Sequence, residues 1–249
     1  MELLALLAVF AISLFAAFVD VIAGGSSLIT IPALAALGIP IVTAIGTNRV
    51  YVVAFMLVGL ANYLRKKVPL NLKLVCALAL VKMAGAYVGT NYVLGIPAAS
   101  VKLVAAALII SALAAIFLLR RAKAKKPKPD LKTYLLIAIA VLAIGFYEGA
   151  VGGGGGTITR LVLTLLLGIT MLEAALADVI MTFSASLVSA AIFVSNGAVD
   201  YSLLLPMIAG GALGAYAGTH MAMKKGDGWM QNFVYLVTAI LIAKLVFFP

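Results

Sequence analysis

The chain has one cysteine, one histidine and one tryptophan in 249 residues, and eight carboxylates against 18 basic side chains. A lone thiol, Cys76, excludes disulfides and CxxC chemistry, and its apolar neighbours predict a packing role in a core. His220 has no second histidine near it in sequence, which argues against a metal site. Nucleophile, P-loop and zinc signatures are missing. The glycine runs fit neither GxxxxGK(S/T) nor a strand-first GxGxxG context, so no nucleotide or other cofactor is expected. Charge of any kind is scarce, 10% of residues against 65% hydrophobic, and the mean hydropathy is +1.22. A soluble domain of this length could not cover its surface with that composition, so the chain reads as an all-α polytopic protein of the lipid bilayer.

Glycine, by contrast, is concentrated in two breaks within apolar sequence. Phe18-Val19-Asp20 leads into Gly24-Gly25-Ser26-Ser27-Leu28-Ile29-Thr30, and Phe146-Tyr147-Glu148 leads into Gly152-Gly153-Gly154-Gly155-Gly156-Thr157-Ile158-Thr159. Backbone N–H groups exposed at such a break need partners inside the membrane, and paired breaks of this kind line the binding sites of transporters. Each break precedes an apolar piece, Leu28–Leu37 or the one ending at Leu167, too short to cross a ~30 Å hydrocarbon core as a helix.

Full-length spans follow each short piece: about Thr43–Leu64, Leu70–Leu94 and Ala98–Leu119, then Leu172–Ser195, Tyr201–Met223 and Trp229–Phe248. The first segment, Met1 to Ala23, carries Glu2 where a secretory signal needs a basic residue, and is read as a retained helix. Pro127 and Pro129 interrupt a polar linker, dividing the chain into repeat 1–120, linker 121–131 and repeat 132–249. Gly85-Ala86-Tyr87-Val88-Gly89-Thr90 recurs as Gly214-Ala215-Tyr216-Ala217-Gly218-Thr219, at the same place in each repeat. Their GxxxG spacing is read as helix packing.

The net charge of +10 is no nucleic-acid footprint, because 12 of the 18 basic residues lie in Arg65–Lys67, Arg120–Lys132 and Lys224-Lys225, beside hydrophobic spans. Placing these clusters in the cytoplasm puts the loop Asn196–Asp200 and both termini outside a cell membrane. Equivalent loops then face opposite sides, so the two repeats are expected to be inverted, each helix–break–short-helix unit starting and finishing on one side.

Six ionisable residues fall within the spans: Asp20, Arg49, Lys82, Glu148, Arg160 and Asp178. Charge at membrane depth is expensive and marks function. Arg160, one turn beyond Thr157, could offer an oxyanion its bidentate fork or instead pair with Glu148 or Asp178. Arg49, after Thr47-Asn48, and Lys82 are further donors. Asp20, Glu148 and Asp178 are proton-coupling candidates, against which stands a capping or ion-pairing role. Thr170-x-x-Glu173 reads as a capping box. Because each short helix starts at its break, its free N–H groups and positive dipole end favour an anion. The expected anion contacts are Gly24, Gly25, Ser26, Ser27, Asn48, Arg49, Lys82, Gly153, Gly154, Gly155, Gly156, Thr157 and Arg160.

The glycine run with Thr157-Ile158-Thr159, its copy Gly24–Pro32, the Gly38-Ile39-Pro40 turn, Ala44-Ile45-Gly46-Thr47-Asn48 and the two GAYxGT segments together resemble the TauE/SafE family of sulfite-exporter-like permeases. Three features depart from its pattern: the first break has only Gly24-Gly25 followed by Ser26-Ser27, Arg160 stands where proline often follows the glycines, and Asn48-Arg49 replaces a usual Gly-Thr-Ser. The resemblance implies secondary transport of small sulfur oxyanions or organosulfonates such as sulfite, thiosulfate or sulfoacetate, generally outward. An anion channel, an intramembrane enzyme and a non-transporting scaffold are the other classes the sequence leaves open.

Overall fold

The computed structural model describes residues 3–65, 67–97, 100, 101, 103, 104, 107, 111 and 129–247, with side chains up to residue 237. Most of the expected span Ala98–Leu119 and of the linker 121–131 lies outside the described residues. The described residues form helices α1 (Leu3–Ala23), α2 (Ser27–Ala36), α3 (Ile41–Arg65), α4 (Leu72–Gly95), α5 (Leu131–Ala150), α6 (Gly155–Leu167), α7 (Met171–Ser195), α8 (Tyr201–Lys225) and α9 (Asp227–Phe247). Six of these, α1, α3, α4, α5, α7 and α8, are long and apolar enough to cross a membrane. The two short helices follow the two glycine breaks, as the sequence predicts.

Side-chain caps set several helix starts. Asn71 accepts from the Leu74 N–H at α4. Thr170 and Glu173 form the expected capping box at α7. Asp130 accepts from the Thr133 N–H and hydroxyl at α5, hydrogen bonds that hold its carboxyl below the ordinary carboxylate range. Gly168, in the left-handed region at φ 66°, ends α6 by donating to the Thr164 carbonyl at 3.1 Å.

Glycines determine which helices pair. A Cβ on Gly85 would overlap the Leu142 carbonyl, and one on Gly89 the Phe146 carbonyl. The fit is reciprocal, since Gly145 and Gly149 press on the Lys82 and Ala86 carbonyls. On α8, Gly210, Gly214 and Gly218 meet the Phe10, Leu14 and Phe18 carbonyls of α1 in the same way. Small residues let the backbones touch, so both GAYxGT copies pack helices as expected, one joining α4 to α5 and the other α8 to α1.

Helix directions follow from these contacts. Residue numbers rise together along α4 and α5 and along α1 and α8, so each pair is parallel. Tyr51 and Tyr63 of α3 donate to the Ser13 and Val21 carbonyls of α1, making α3 parallel to α1. Lys82 and Thr90 of α4 bond Thr182 and Ser189 of α7, so those two are parallel as well. In contrast, the start of α3 meets the end of α7: the Asp200 N–H donates to Thr47 at 2.8 Å. Helices α1, α3 and α8 therefore run one way and α4, α5 and α7 the other.

The outward faces are apolar. Leu80, Ile139 and Leu205 are at least 65% exposed, a surface suited to lipid. Cys76 corrects the sequence reading: it is exposed on the outside of α4, not packed in a core. Hydropathy could not distinguish the two, because lipid tails and a protein core are equally apolar.

Candidate functional site

Two segments far apart in the chain, the breaks, are in contact at the centre of the molecule. Gly24 and Gly25 take φ of 82° and 99°, and Gly152 and Gly154 take 92° and 84°, a region that favours glycine. A Cβ on Gly24 would overlap the Thr157 backbone nitrogen, and Thr157 Oγ1 donates to the Ala23 carbonyl at 2.6 Å. Leu28 packs directly on Gly153, whose carbonyl accepts from the Tyr147 hydroxyl. Gly154 caps the N-terminus of α6, and Gly155 lies so close to the Glu148 side chain that no Cβ would fit.

All six ionisable residues singled out from the sequence are buried, and together they are the buried charged side chains among the described residues. Three are basic side chains and three are carboxylic acids. Lys82 Nζ lies 3.0 Å from Glu148 Oε1 and 3.3 Å from Asp178 Oδ1, and bonds the Thr182 and Thr159 hydroxyls at 2.8 and 3.3 Å. Arg160 Nε donates to Asp178 Oδ2 at 3.0 Å, while its Nη2 donates to the Asp20 carbonyl at 2.8 Å and so ties α6 to the first break. Of the two roles considered for Arg160, pairing with Asp178 is the one present here. Asp20 Oδ1 accepts from the Ser26 N–H at 2.7 Å, bracing the first break by capping.

Arg49 differs from the other two cations. It is only 2% exposed, yet its Nε and Nη2 have no hydrogen-bond partner and it joins no ion pair among the described residues. Its neighbour Asn48 is committed, accepting from Thr30 Oγ1 at 2.5 Å and donating to Ser27 Oγ at 2.8 Å. The Arg49 guanidinium presses on Gly152, where a Cβ would overlap Nη2. Glu148 Oε2 and Arg160 Nη1 are also buried without partners. An unpaired donor this deeply buried costs free energy, so its presence calls for a functional account.

Arg49 lines a small cavity with Asp20, Gly25, Ser26, Ser27, Val52, Met56, Glu148, Gly152, Gly156, Asp178 and Thr182. It offers the centre of a water-sized sphere about 10 Å³, enough for about one water. Gly24, Asn48, Lys82, Gly153, Gly154, Gly155, Thr157 and Arg160 are not among its lining residues; their contacts hold the charges and the breaks around it. Gly152 and Thr182 line the cavity but are absent from the contacts expected from the sequence. Thr182 was legible as the hydroxyl one turn after Asp178, to which it donates at 2.9 Å. The close contact of Gly152 with Arg49 was not, because nothing local signals it.

Six helices long and apolar enough to cross a membrane, together with a buried, charge-lined cavity at two helix breaks, define a multi-pass membrane protein of the transporter class. The chain belongs to the Sulfite exporter TauE/SafE family, which it matches over residues 9–245. It is 33% identical to a probable membrane transporter protein of Haemophilus influenzae, over 99% of this chain and 95% of that one. Identity is 31% to probable membrane transporter protein ORF9 of Sinorhizobium sp, over 96% and 92% of the two chains. For probable membrane transporter protein YfcA of Escherichia coli K12 it is 27%, over 96% and 88%. No solved structure matches the chain.

Proposed function

We propose that the protein is a secondary transporter of a small anion, sulfite or a related sulfur oxyanion or organosulfonate, working by alternating access in the cell membrane. The observation that carries this reading is Arg49, buried with two guanidinium nitrogens unpartnered in a cavity between two helix breaks. An oxyanion would accept from that fork and from Ser26 or Ser27, and the N-terminal ends of α2 and α6 would add favourable dipoles. Arg49 takes the part of principal donor. Arg160 and Lys82 supply positive field from behind it, their hydrogen bonds being made to protein.

The narrow cavity corresponds to one stage of the cycle, since a polyatomic anion needs more room than one water. The two repeats, residues 1–120 and 132–249, are inverted in this proposal. Its support is that α1, α3 and α4 run opposite to their counterparts α5, α7 and α8. With Arg65 to Lys67, the linker and Lys224-Lys225 in the cytoplasm, a lone anion leaves the cell down a cytoplasm-negative potential, gaining ~2.3 kcal/mol per charge per 100 mV. Export then needs no coupled proton. Of the proton-coupling candidates, Asp20 and Asp178 are engaged in capping and ion pairing, whereas Glu148 keeps one oxygen free to meet a proton arriving with the anion.

Sulfite flux from proteoliposomes tests the proposal. Saturable efflux is expected from the parent protein, and Arg49→Lys, which keeps the charge but loses the fork, should weaken apparent affinity at least ~10-fold. Unsaturable flux would indicate a channel. Parent-like affinity in both Arg49→Lys and Arg49→Gln would remove Arg49 from the site.

A further inference from the structure

The same cavity holds an unpartnered acceptor as well as an unpartnered donor. Glu148 is 3% exposed, with Oε1 on Lys82 Nζ at 3.0 Å and Oε2 unpartnered. The charged groups around it are Lys82 from α4, Asp178 from α7 and Arg49 from α3, and Asp20 from α1 lines the same cavity. An anion on the Arg49 fork therefore sits beside a carboxylate oxygen. Two anionic oxygens repel unless a hydrogen lies between them, so with Glu148 ionised against Lys82 a ligand that fits both groups must bring a donor.

Charge balance points the same way. The buried cluster has three basic side chains against three carboxylates, so with all six ionised it is neutral before a ligand enters. A monoanion leaves it with one uncompensated charge, a dianion with two. The self-energy of charge in a low-dielectric interior grows as its square, so the dianion is penalised about four times as heavily.

We infer that the site selects an anion with a single negative charge and at least one hydrogen-bond donor, such as hydrogen sulfite or a hydroxyalkanesulfonate. Arg49 binds its anionic oxygens and Glu148 Oε2 accepts from its donor. This rests on the anion-transport reading above and narrows it: a fully deprotonated dianion is excluded, and so is a sulfonate that has only acceptors.

Ethanesulfonate and 2-hydroxyethanesulfonate test this without a change of pH, because both are monoanions that differ by one hydroxyl; sulfate serves as the dianion. Calorimetric titration of the full-length protein in lipid nanodiscs should show 2-hydroxyethanesulfonate binding at least ~10-fold tighter than ethanesulfonate, the value of one hydrogen bond to a charged group, with sulfate weakest. Glu148→Gln replaces the free acceptor by an N–H donor and should bring the two sulfonates to within about twofold. Equal affinity in the parent protein, tighter sulfate binding, or an undiminished preference in Glu148→Gln would each overturn the inference while leaving an anion site in place. If none of the three anions and no sulfite binds the parent protein, the anion-transport reading fails and this inference fails with it.

Discussion

Thr157 Oγ1 donates to the Ala23 carbonyl at 2.6 Å, so the first turn of one short helix is tied directly to the end of the helix that precedes the other break, 134 residues away. The bond uses a carbonyl that the end of α1 leaves without an intrahelical partner. Arg160 makes a second tie by donating to the Asp20 carbonyl. The two breaks thus form one structure, and the pocket is lined both by residues between Asp20 and Met56 and by residues between Glu148 and Thr182.

Gly24 and Gly38 give a controlled comparison. Both have positive φ, 82° and 86°, but a Cβ on Gly24 would overlap the Thr157 backbone while one on Gly38 meets nothing within 4 Å. Gly38→Ala should cost only the left-handed penalty, ~1–2 kcal/mol, and keep anion binding. Gly24→Ala adds a steric conflict that separates the breaks, so it should lower the thermal midpoint further and abolish binding. Thermal unfolding in detergent with and without sulfite measures both. Equal behaviour of the two variants would show that contact between the breaks is dispensable.

Breaking the Arg160–Asp178 pair should be severe. Arg160→Met leaves Lys82 as the one ion-pair partner of Asp178 among the described residues and removes the tie to Asp20, for an expected loss of ~3–5 kcal/mol. Adding Asp178→Asn to Arg160→Met should recover part of that loss, because the uncompensated charge is gone. Guanidinium or heat unfolding of the single and double variants reads the coupling. A purely additive pair would mean that the two side chains do not depend on one another.

Membrane topology can be read by labelling single cysteines in a Cys76→Ala background; Cys76 lies exposed on α4, so the change disturbs no core. Position 198 is expected to react from outside the cell, and positions 67 and 225 from the cytoplasm. Labelling of 198 and 225 from the same side would rule out the inverted arrangement.

The sequence alone determined where the chain breaks and which residues carry charge into the membrane. Against 65% hydrophobic residues, Asp20, Arg49, Lys82, Glu148, Arg160 and Asp178 stand out because each is too costly to bury without a role. The short helices, the capping box at Thr170 and the packing glycines were legible for a similar reason: a local pattern has a local cause.

Tertiary structure decided the rest. Arg160 could reach either Glu148 or Asp178 as far as spacing shows, and only the packing of α6 on α7 assigns it Asp178. The helix order then leaves Arg49, from α3, as the cation without a counter-ion bond and presses it onto Gly152. The outward position of Cys76 was equally hidden, because a face toward lipid and a face toward protein have the same hydropathy. Ion pairing depends on distances between helices far apart in sequence, and no local pattern encodes those distances.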